Sequence, residues 1–551
     1  MSVGADTNKG KNVNLSKGVS MSEGEGANTS GSSKTTGSFK TTGLAIYIAV
    51  FLLICLLPFV GMTWASTSST SNSASAAPFP TFTNENGSVN REYLSQLGAY
   101  FEDHYAYRNL AIDMDARIRV ALFSVSPTNQ VIVGSDGWLY YGGELDDFLG
   151  RSPMTERKAK NIAYNLALMQ GYANANGSAF IFIIGPNKST LYPDYMPYYY
   201  PNSQDQSMEL LKSCLKERGV VYLDLFELFS SQSEELYYKT DSHWNNQGAL
   251  LVANALLALC DNKQAVVLSS FEDSTFIGDI ERMLYPITAQ PEVSLVLYTG
   301  EWNYSNSASS VEDFFIETSS DGKGILLMFR DSFGNSLIPL MAPAFQRAYF
   351  SKLIPYDMAQ IAALKPNYTI IERAQRHMGL LAESPAIMLA PTLKTEATKA
   401  LTSNTTIEVT KDGDYLVIQG WVDEACIGIN DDIFIQVETS SGRVCYAPFR
   451  ISGSINKAGD QGAGAQAGAQ AGAQGAAAQG ATAQAGALGV AAQAGAQGAA
   501  GSVSSPLVLS DYGFKAYLLG SAFQEGEYIV TILIRDADSG TVTSVASKSF
   551  G

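Results

Sequence analysis

The sequence predicts an α/β domain with a parallel sheet covered by helices on both faces, followed by a β-sandwich and preceded by a single transmembrane helix. Three observations predict this order. Residues 43–64 carry no charge, residues 85–390 alternate short apolar strands with amphipathic helices, and residues 405–551 change to period-two strands. Continuous apolar strands between helices are typical of a sheet buried on both faces. Period-two strands with turn residues between them are typical of a sandwich.

Length and composition limit the classes of protein to consider. A chain of 551 residues is longer than one ordinary domain, and its 46% hydrophobic content is that of a globular protein. The formal net charge of -17 argues against a nucleic-acid partner, which would need clustered Lys and Arg, and favours a neutral or weakly charged substrate. Five cysteines without a CxxC pair or a Cys/His cluster give no sign of a zinc site. We expect neither a metal nor a cofactor.

The apolar segment at 43–64 is long enough to cross a bilayer as a helix. Five lysines precede it, whereas the next cationic residue after it is Arg91, so the charge bias places the N-terminus in the cytoplasm. We therefore expect a disordered cytoplasmic tail over 1–42, a cell-membrane anchor, and an extracytoplasmic main domain. A cleaved secretory signal is the alternative, because residues 74–76 (Ala-Ser-Ala) have the form of a cleavage site.

Two further segments lack the apolar side chains that a folded core requires. Residues 65–84 are rich in Ser, Thr and Ala and are predicted to be a flexible linker. Residues 457–502 repeat Ala, Gly and Gln inside the β-sandwich region. Such a composition cannot bury a core, so we expect a disordered insertion in a surface loop.

The first candidate for chemistry is an Asp-x-His-Trp motif between a strand-like segment and the helix that starts near Asn246. An Asp two residues before a His in a turn can accept the Nδ1 proton, which leaves Nε2 free as a base. Asp241 and His243 have this spacing. The alternative is a helix-capping Asp followed by a surface His.

The second candidate is a serine that follows an apolar strand at 325–329. The strand ends on Arg330-Asp331-Ser332, and a short helical segment comes next. This order places Ser332 at the carboxyl edge of the sheet, where open α/β folds bind ligands, and the N–H groups behind it could stabilise an oxyanion. A plain helix cap is the alternative.

Five short segments occur in a fixed order between about residues 90 and 380. They are residues 103–108 (DHYAYR), 134–140 (GSDGWLY), 185–193 (GPNKSTLYP), 241–244 (DSHW) and 330–334 (RDSFG). This series resembles the SGNH-hydrolase-like domain of the AlgX/AlgJ polysaccharide O-acetylation proteins and the related DHHW proteins. The resemblance implies a flavodoxin-like sheet. Arg330 departs from it, because the family block usually begins with glycine.

The resemblance also implies roles for individual residues. Asp241 would orient the imidazole, His243 would be the general base, and Ser332 would be the nucleophile that becomes acetylated. Amide groups can donate to an oxyanion, and two residues of the 185–193 segment could contact substrate, although a loop Lys is more often solvated. These lesser candidates are Asn187 and Asn335 for the oxyanion, and Lys188 and Tyr192 for substrate.

The activity implied by the resemblance is O-acetyl transfer, in which an acetyl group passes through Ser332 to a hydroxyl of a cell-surface polysaccharide or exopolysaccharide. Acetyl-CoA is not present outside the cell, so a membrane-bound O-acyltransferase is implied as the acetyl donor. Two alternatives stay open. A carbohydrate acetyl esterase would use the same residues with water as acceptor, and Arg330 leaves room for a non-catalytic glycan-binding or envelope assembly protein.

Overall fold

The computed structural model describes residues 44–53, 56, 61, 77–84, 87–104, 106–203, 205–261, 263–455, 508–523 and 527–550. The predicted tail at 1–42, most of the predicted linker and the repeats at 457–502 lie outside these residues. Residues 44–53 are helical and exposed. Within the described ranges, no helix has both the length and the apolar character needed to cross a bilayer. The transmembrane helix at 43–64 stays a prediction.

The α/β domain is built from short strands and from helices of very different lengths. Its strands are β1 (Val131–Val133), β2 (Leu139–Tyr141), β3 (Ala179–Gly185), β4 (Tyr222–Leu223), β5 (Ser269–Asp273), β6 (Ser294–Tyr298), β7 (Asn303–Tyr304), β8 (Phe315–Ser319), β9 (Ile325–Phe329), β10 (Arg347–Ser351) and β11 (Tyr368–Ala374). Its helices are α1 (Tyr93–His104), α2 (Arg108–Phe123), α3 (Leu145–Phe148), α4 (Glu156–Ala175), α5 (Lys188–Leu191), α6 (Ser207–Glu217), α7 (Leu225–Ser230), α8 (Asn246–Leu259), α9 (Asp279–Leu284), α10 (Ile338–Met341), α11 (Gln360–Leu364) and α12 (Leu380–Glu383).

The central sheet has seven strands in the order β4-β3-β11-β9-β10-β8-β7. The five strands from β4 to β10 are parallel to their neighbours, as predicted. The prediction of a wholly parallel sheet is wrong at the other edge, where β8 is antiparallel to β10 and β7 is antiparallel to β8. Only alternate residues of β8 (FIETS) are fully buried, and the strand lacks the continuous apolar run that marks the central strands.

Each face of the sheet has its own core, which confirms helices on both faces. Ile181 and Ile183 of β3 pack into a core shared with α8. Phe180 and Phe182 of the same strand point to the opposite side and pack with α4 and α6. This alternation follows from the two-residue repeat of a strand. Packing on both faces therefore fixes the positions of the carboxyl ends of the parallel strands.

The C-terminal region forms two sheets around one shared core, as the sandwich prediction requires. The strands are β12 (Thr392–Leu393), β13 (Lys399–Ala400), β14 (Glu408–Asp412), β15 (Tyr415–Trp421), β16 (Asp432–Thr439), β17 (Gly442–Tyr446), β18 (Phe449–Ile455), β19 (Val508–Leu519), β20 (Tyr528–Arg535) and β21 (Val542–Phe550). The sheet orders are β12-β17-β16-β20-β21-β13 and β14-β15-β19-β18. Ile418 and Ile532, from different sheets, belong to the same core. The first two strands, β12 and β13, lie before the predicted boundary at residue 405.

The sandwich packs directly on helix α4 of the α/β domain. Asn165 Nδ2 donates to the backbone oxygen of Arg450 at 2.9 Å, and Asn161 Nδ2 donates to the backbone oxygen of Asp511 at 2.7 Å. Both asparagines are fully buried. A buried amide is costly unless it is hydrogen-bonded, so these contacts fix the orientation of the two units.

The pairing of β18 with β19 generates a prediction about the Ala/Gly/Gln repeats. These strands stay paired up to Ile455 and Val508, so the chain ends that flank the repeats are neighbours. Deleting 457–502 and closing the gap with a short Gly/Ser loop should leave the melting temperature nearly unchanged. Loop-closure free energy changes by only about 0.6 kcal/mol for each doubling of loop length. A loss of several degrees would contradict a dispensable loop.

Candidate active site

Ser332 lies at the carboxyl edge of the sheet because β9 ends three residues before it. The preceding residue, Asp331, ties this loop to the neighbouring strand β11. Asp331 N donates to Glu372 Oε2 at 3.0 Å, and its side chain accepts from the N–H of Phe333 at 3.0 Å and of Ala374 at 2.8 Å. Burial alone would raise the pKa of Asp331, but the hydrogen bond with His377, the charge of Arg373 and the N–H of Ala374 lower it well below its usual value. The Asp331 carboxylate therefore holds the loop that carries Ser332 against β11.

The segment after Ser332 is short and helical, as predicted. It is a 3₁₀ turn of five residues, Phe333–Leu337, which leads into the short helix α10. A turn of this length has a much smaller dipole than a full helix. Backbone N–H groups, and not a helix dipole, are therefore the available electrophilic groups at this position.

The Asp-x-His turn brings the predicted base to the serine, across 89 residues of sequence. His243 Nε2 lies 2.8 Å from Ser332 Oγ, and His243 Nδ1 lies 2.7 Å from Asp241 Oδ1. The structure thus places all three predicted residues in one hydrogen-bonded series. The His243 side chain remains 23% exposed, so the series opens to solvent on one side.

Charges in this series are set by burial and by hydrogen bonds. Burial would raise the pKa of Asp241, but the adjacent His243 and two backbone N–H donors outweigh it and lower the pKa to about 2. Burial would lower the pKa of His243, but the charge of Asp241 and its hydrogen bond raise it above the usual value. A carboxylate on Nδ1 fixes the tautomer with Nε2 unprotonated when the ring is neutral.

Asp279 is a site residue that the sequence analysis missed. Its backbone N–H donates to Asp241 Oδ2 at 2.8 Å, and its carboxylate accepts from Ser242 N at 2.7 Å and from Ser242 Oγ at 2.6 Å. Asp241, His243 and Asp279 lie close enough to resemble a metal-ligand set. Their carboxylate oxygens already accept protein N–H and O–H groups, so Asp279 is better explained as the support that holds the Asp-x-His turn.

Aromatic packing holds the imidazole against the serine loop. The Phe333 ring meets the His243 ring edge to face at 4.8 Å and the Trp244 ring at 4.9 Å. Trp244 Nε1 donates to Ser336 Oγ at 2.6 Å. A Cβ on Gly185 would lie 3.1 Å from Phe333 Cδ1, so glycine gives this ring its space. The tryptophan of the motif therefore joins the base-bearing turn to the serine loop.

Arg330, the departure from the family pattern, is fully buried and points away from the reacting groups. Its Nη2 donates to the backbone oxygens of Val311 at 2.9 Å and Asp313 at 3.0 Å, and its Nη1 donates to Asn335 Oδ1. A Cβ on Gly334 would lie 2.7 Å from Arg330 Cβ. Arg330 therefore fastens the 311–313 loop to the serine turn and leaves the His–Ser distance intact.

The chain is similar to known proteins over part of its length. Residues 131–310 match the family model described as "SGNH hydrolase-like domain, acetyltransferase AlgX". The match includes the Asp-x-His turn and ends before Ser332. The chain is 26% identical over 252 residues to the probable alginate O-acetylase AlgJ of Pseudomonas syringae pv. tomato. The α/β domain is AlgX/AlgJ-like. The match covers 43% of this chain and 60% of that relative, so the chain spans less than two thirds of its length.

Two solved structures are also similar. A DHHW family protein from Eubacterium siraeum has 16% identity and a TM-score of 0.36, with 46% of this chain and 92% of that chain covered. The O-acetyltransferase domain of Pseudomonas putida AlgJ has 16% identity and a TM-score of 0.32, with 45% of this chain and 92% of that chain covered.

Two of the lesser candidates in the AlgX/AlgJ-like domain are wholly inaccessible. Asn187 is 0% exposed, and its Nδ2 donates to Asp147 Oδ2 at 2.9 Å. Lys188 is also 0% exposed, and its Nζ donates to the backbone oxygens of Tyr238 at 3.1 Å, Lys239 at 3.1 Å and Asp241 at 2.6 Å. A group that water cannot reach in this conformation cannot touch substrate there. We therefore replace the predicted oxyanion and substrate roles by structural ones.

The other two lesser candidates differ from each other. Tyr192 packs against Trp138, with ring centroids 4.7 Å apart, and its hydroxyl accepts from Leu236 N at 2.8 Å. These contacts are those of a loop packed onto the core, not of a free sugar-stacking ring. Asn335 is half-buried in the serine turn, with its N–H donating to Ser332 O at 3.1 Å. Its role as an oxyanion donor stays a prediction.

The position of Lys188 generates a stability prediction. Lys188→Met keeps most of the volume but removes the donor to three buried carbonyls, and each buried unsatisfied group costs about 1–3 kcal/mol. We expect the free energy of unfolding, measured by urea denaturation, to fall by on the order of 3 kcal/mol. Lys216→Met, on an exposed face of α6, is the control and should change it by roughly 0.5 kcal/mol or less. Equal losses would contradict the structural role.

The raised pKa of His243 generates a prediction about pH. A base must be neutral, so a reaction that uses His243 should lose rate as pH falls through a pKa above 6.5. Asp241→Asn removes the charge that raises this pKa, and burial then lowers it. The acid limb of kcat/KM should therefore move to lower pH, with the plateau reduced by about 10⁴-fold. An unchanged limb would exclude His243 as the titrating group.

Proposed function

We propose that this chain is an O-acetyltransferase that carries the acetyl group on Ser332. The observation that supports this most strongly is the position of His243, 2.8 Å from Ser332 Oγ and 2.7 Å from Asp241 Oδ1. A serine hydroxyl is a weak nucleophile until a base removes its proton, and here the base is in place and oriented.

In the first half-reaction, Ser332 Oγ attacks the carbonyl carbon of an acetyl donor while its proton moves to His243 Nε2. The C–O bond to the donor then breaks, and the leaving oxygen takes the proton from His243. Within the described residues, the N–H of Ser332 has no protein acceptor, so it is available to the oxyanion of the tetrahedral intermediate. The charge of Asp241 stabilises the imidazolium that forms between these steps.

In the second half-reaction, His243 removes the proton from an acceptor hydroxyl, which attacks the acetyl-Ser332 ester. The Ser332 Oγ–acetyl bond breaks, and the proton returns to Oγ. The partial exposure of His243 supports entry of a bulky acceptor such as a polysaccharide hydroxyl. The descriptions "acetyltransferase AlgX" and "alginate O-acetylase" of the similar proteins favour a sugar hydroxyl over water as acceptor.

The cellular setting is part of the same proposal. The apolar segment at 43–64 would anchor the chain in the cell membrane, with the tail inside and the α/β domain outside. The acceptor would be a cell-surface polysaccharide or exopolysaccharide. A membrane-bound O-acyltransferase would supply acetyl groups, because acetyl-CoA is confined to the cytoplasm.

The proposal predicts how substitutions at the three residues combine. Ser332→Ala and His243→Ala should each abolish turnover of a small acetyl ester, and the Ser332/His243 double variant should be no slower than either single one. Groups that act as a unit give non-additive losses, because a base without its nucleophile has nothing to activate. Each variant is first checked for an unchanged melting temperature.

The acceptor is tested separately with wild-type protein, labelled acetyl ester and a polysaccharide. Label that appears on the polysaccharide supports the transferase. Release of all label as acetate, whatever the acceptor concentration, would replace it by an esterase. Wild-type turnover in Ser332→Ala would contradict Ser332 as the nucleophile, whereas no turnover and no acetyl-Ser332 in wild-type protein would contradict both enzymes and leave a binding protein as the explanation.

A further inference from the structure

Helix α2 presents a row of apolar side chains to solvent. The row, called the α2 strip below, consists of Leu110, Met114, Ile118 and Leu122, whose exposed fractions are 42%, 55%, 54% and 69%. Positions four residues apart lie on the same side of a helix, so these side chains follow one another along the length of α2. Single exposed apolar residues are ordinary, whereas a contiguous apolar patch is a sign of an interaction surface.

The opposite face of α2 is fixed to the rest of the α/β domain. Ala116 is fully buried and shares a core with Ile280 of α9. Asp113 is also buried, and its Oδ1 accepts from the backbone N–H groups of Ile287 at 3.1 Å and Thr288 at 2.9 Å. Because α2 cannot rotate without losing these contacts, the α2 strip must point away from the domain.

Charged side chains border the α2 strip. On one border, Arg117 donates to the Asp113 carboxylate at 3.2 Å and to the backbone oxygen of Thr288 at 2.7 Å. On the other border, Arg119 Nε lies 2.8 Å from Asp115 Oδ1. An apolar face bordered by arginines is typical of helices that lie in the surface of a bilayer, with the apolar side chains in lipid and the guanidinium groups at the headgroups. The pattern of α2 therefore favours a lipid surface as its partner.

The apolar segment at 43–64 indicates which lipid surface this is. Gly61, near the end of that segment, is buried. A Cβ placed on it would lie 2.6 Å from Ala106 Cβ and 2.8 Å from Tyr107 Cε2, so the backbone at Gly61 is in close contact with these two residues. They directly precede Arg108, the first residue of α2. A segment that crosses the membrane would therefore leave it at the start of α2.

We propose that α2 lies in the outer surface of the cell membrane, with the α2 strip in contact with lipid. The proposal rests on the membrane anchor of the proposed function and adds an orientation to it. Helix α9, which shares a core with α2, begins with Asp279, and the N–H of Asp279 donates to Asp241. The Asp-x-His turn then lies two helices away from the lipid, which brings the active site close to a membrane-bound acetyl donor.

The test is electron paramagnetic resonance on the full chain in phosphatidylcholine liposomes, with one nitroxide label in each variant. Labels are attached through Met114→Cys and Ile118→Cys on the α2 strip, through Phe51→Cys in the apolar segment, and through Lys216→Cys on an exposed face of α6 as the control. The other three cysteines are buried, so the background carries Cys55→Ser and Cys426→Ser. Oxygen concentrates in lipid and a nickel chelate stays in water, so relaxation by each reports the surroundings of the label.

Oxygen should relax the labels at positions 51, 114 and 118 more strongly than the chelate does, and the order should be reversed at position 216. A label in lipid at 51 combined with labels in water at 114 and 118 would overturn the proposal and leave the anchor intact. A label in water at 51 would overturn both. Ester turnover by the same liposomes is measured separately, so failure of acetyl transfer is distinguishable from either outcome.

A second copy of the chain, or another segment of this chain, is the alternative cover for the α2 strip. Either would shield the labels at 114 and 118 from both reagents, which would overturn the proposal. A second copy would in addition give a short distance between two labels at 118 in double electron–electron resonance.

A charge placed on the strip tests the lipid contact by a second route. Leu122→Glu adds a carboxylate one turn from position 118, and a charged group is costly to place in lipid. The label at 118 should therefore become more accessible to the chelate, whereas Lys216→Glu, the matched control, should leave its accessibility unchanged. Both substituted side chains are exposed, so the melting temperature should stay the same. Unchanged accessibility at 118 in Leu122→Glu would contradict a lipid contact.

Discussion

The two hydrogen bonds of His243, to Asp241 and to Ser332, are the constraint on which the rest of the α/β domain depends. The base and the serine lie on separate loops, so a shift of about 1 Å in either loop would break the contact. Each loop is therefore fixed by hydrogen bonds to a side chain outside the Ser-His-Asp series. Lys188 holds the carbonyls of the Asp-x-His turn, and Asp331 holds the serine loop to β11. Neither side chain needs to touch substrate for its contacts to matter.

The loops are also held to each other and to the surrounding fold. Phe333 and Trp244 pack as rings between the base and the serine turn, and the buried Arg330 fastens that turn to the loop at 311–313. The Nε of Arg330 has no partner among the described residues, but the hydrogen bonds of its Nη1 and Nη2 and the ring contacts fix one arrangement. The same strategy recurs at the domain junction, where Asn161 and Asn165 orient the sandwich on α4.

The sequence was sufficient to predict what depends on local pattern. The central strands are continuous apolar runs and could be predicted from that pattern. The Asp-x-His and Asp-Ser motifs alone left a helix cap as the alternative, so the roles of the three candidate residues came from the resemblance of the ordered segments. Contacts between distant segments could not be predicted. Asp279 reaches the turn that carries Asp241 from the start of helix α9, and no spacing rule connects them. Lys188 was predicted to contact substrate, with solvation as the alternative, because nothing local indicates that three carbonyls from another loop surround it.

The contacts of Arg330 could not be predicted from the sequence either. A family pattern with glycine at this position made the arginine a sign of a changed site, whereas its side chain finds acceptors in a loop whose position only the fold determines. The antiparallel edge at β7 and β8 was missed for a related reason, since short edge strands lack the apolar run that marks a buried strand. Both features depend on tertiary contacts, which local sequence patterns do not show.

The most direct test of the account is to identify the atom that carries the acetyl group. Wild-type protein is mixed with a small acetyl ester, quenched in acid within the first turnover, digested, and analysed by peptide mass spectrometry. The account predicts one added acetyl group, on the peptide that contains Ser332 and on the serine itself, and its absence in Ser332→Ala. Acetyl found on another residue of the wild-type protein, with Ser332 unmodified, would contradict it.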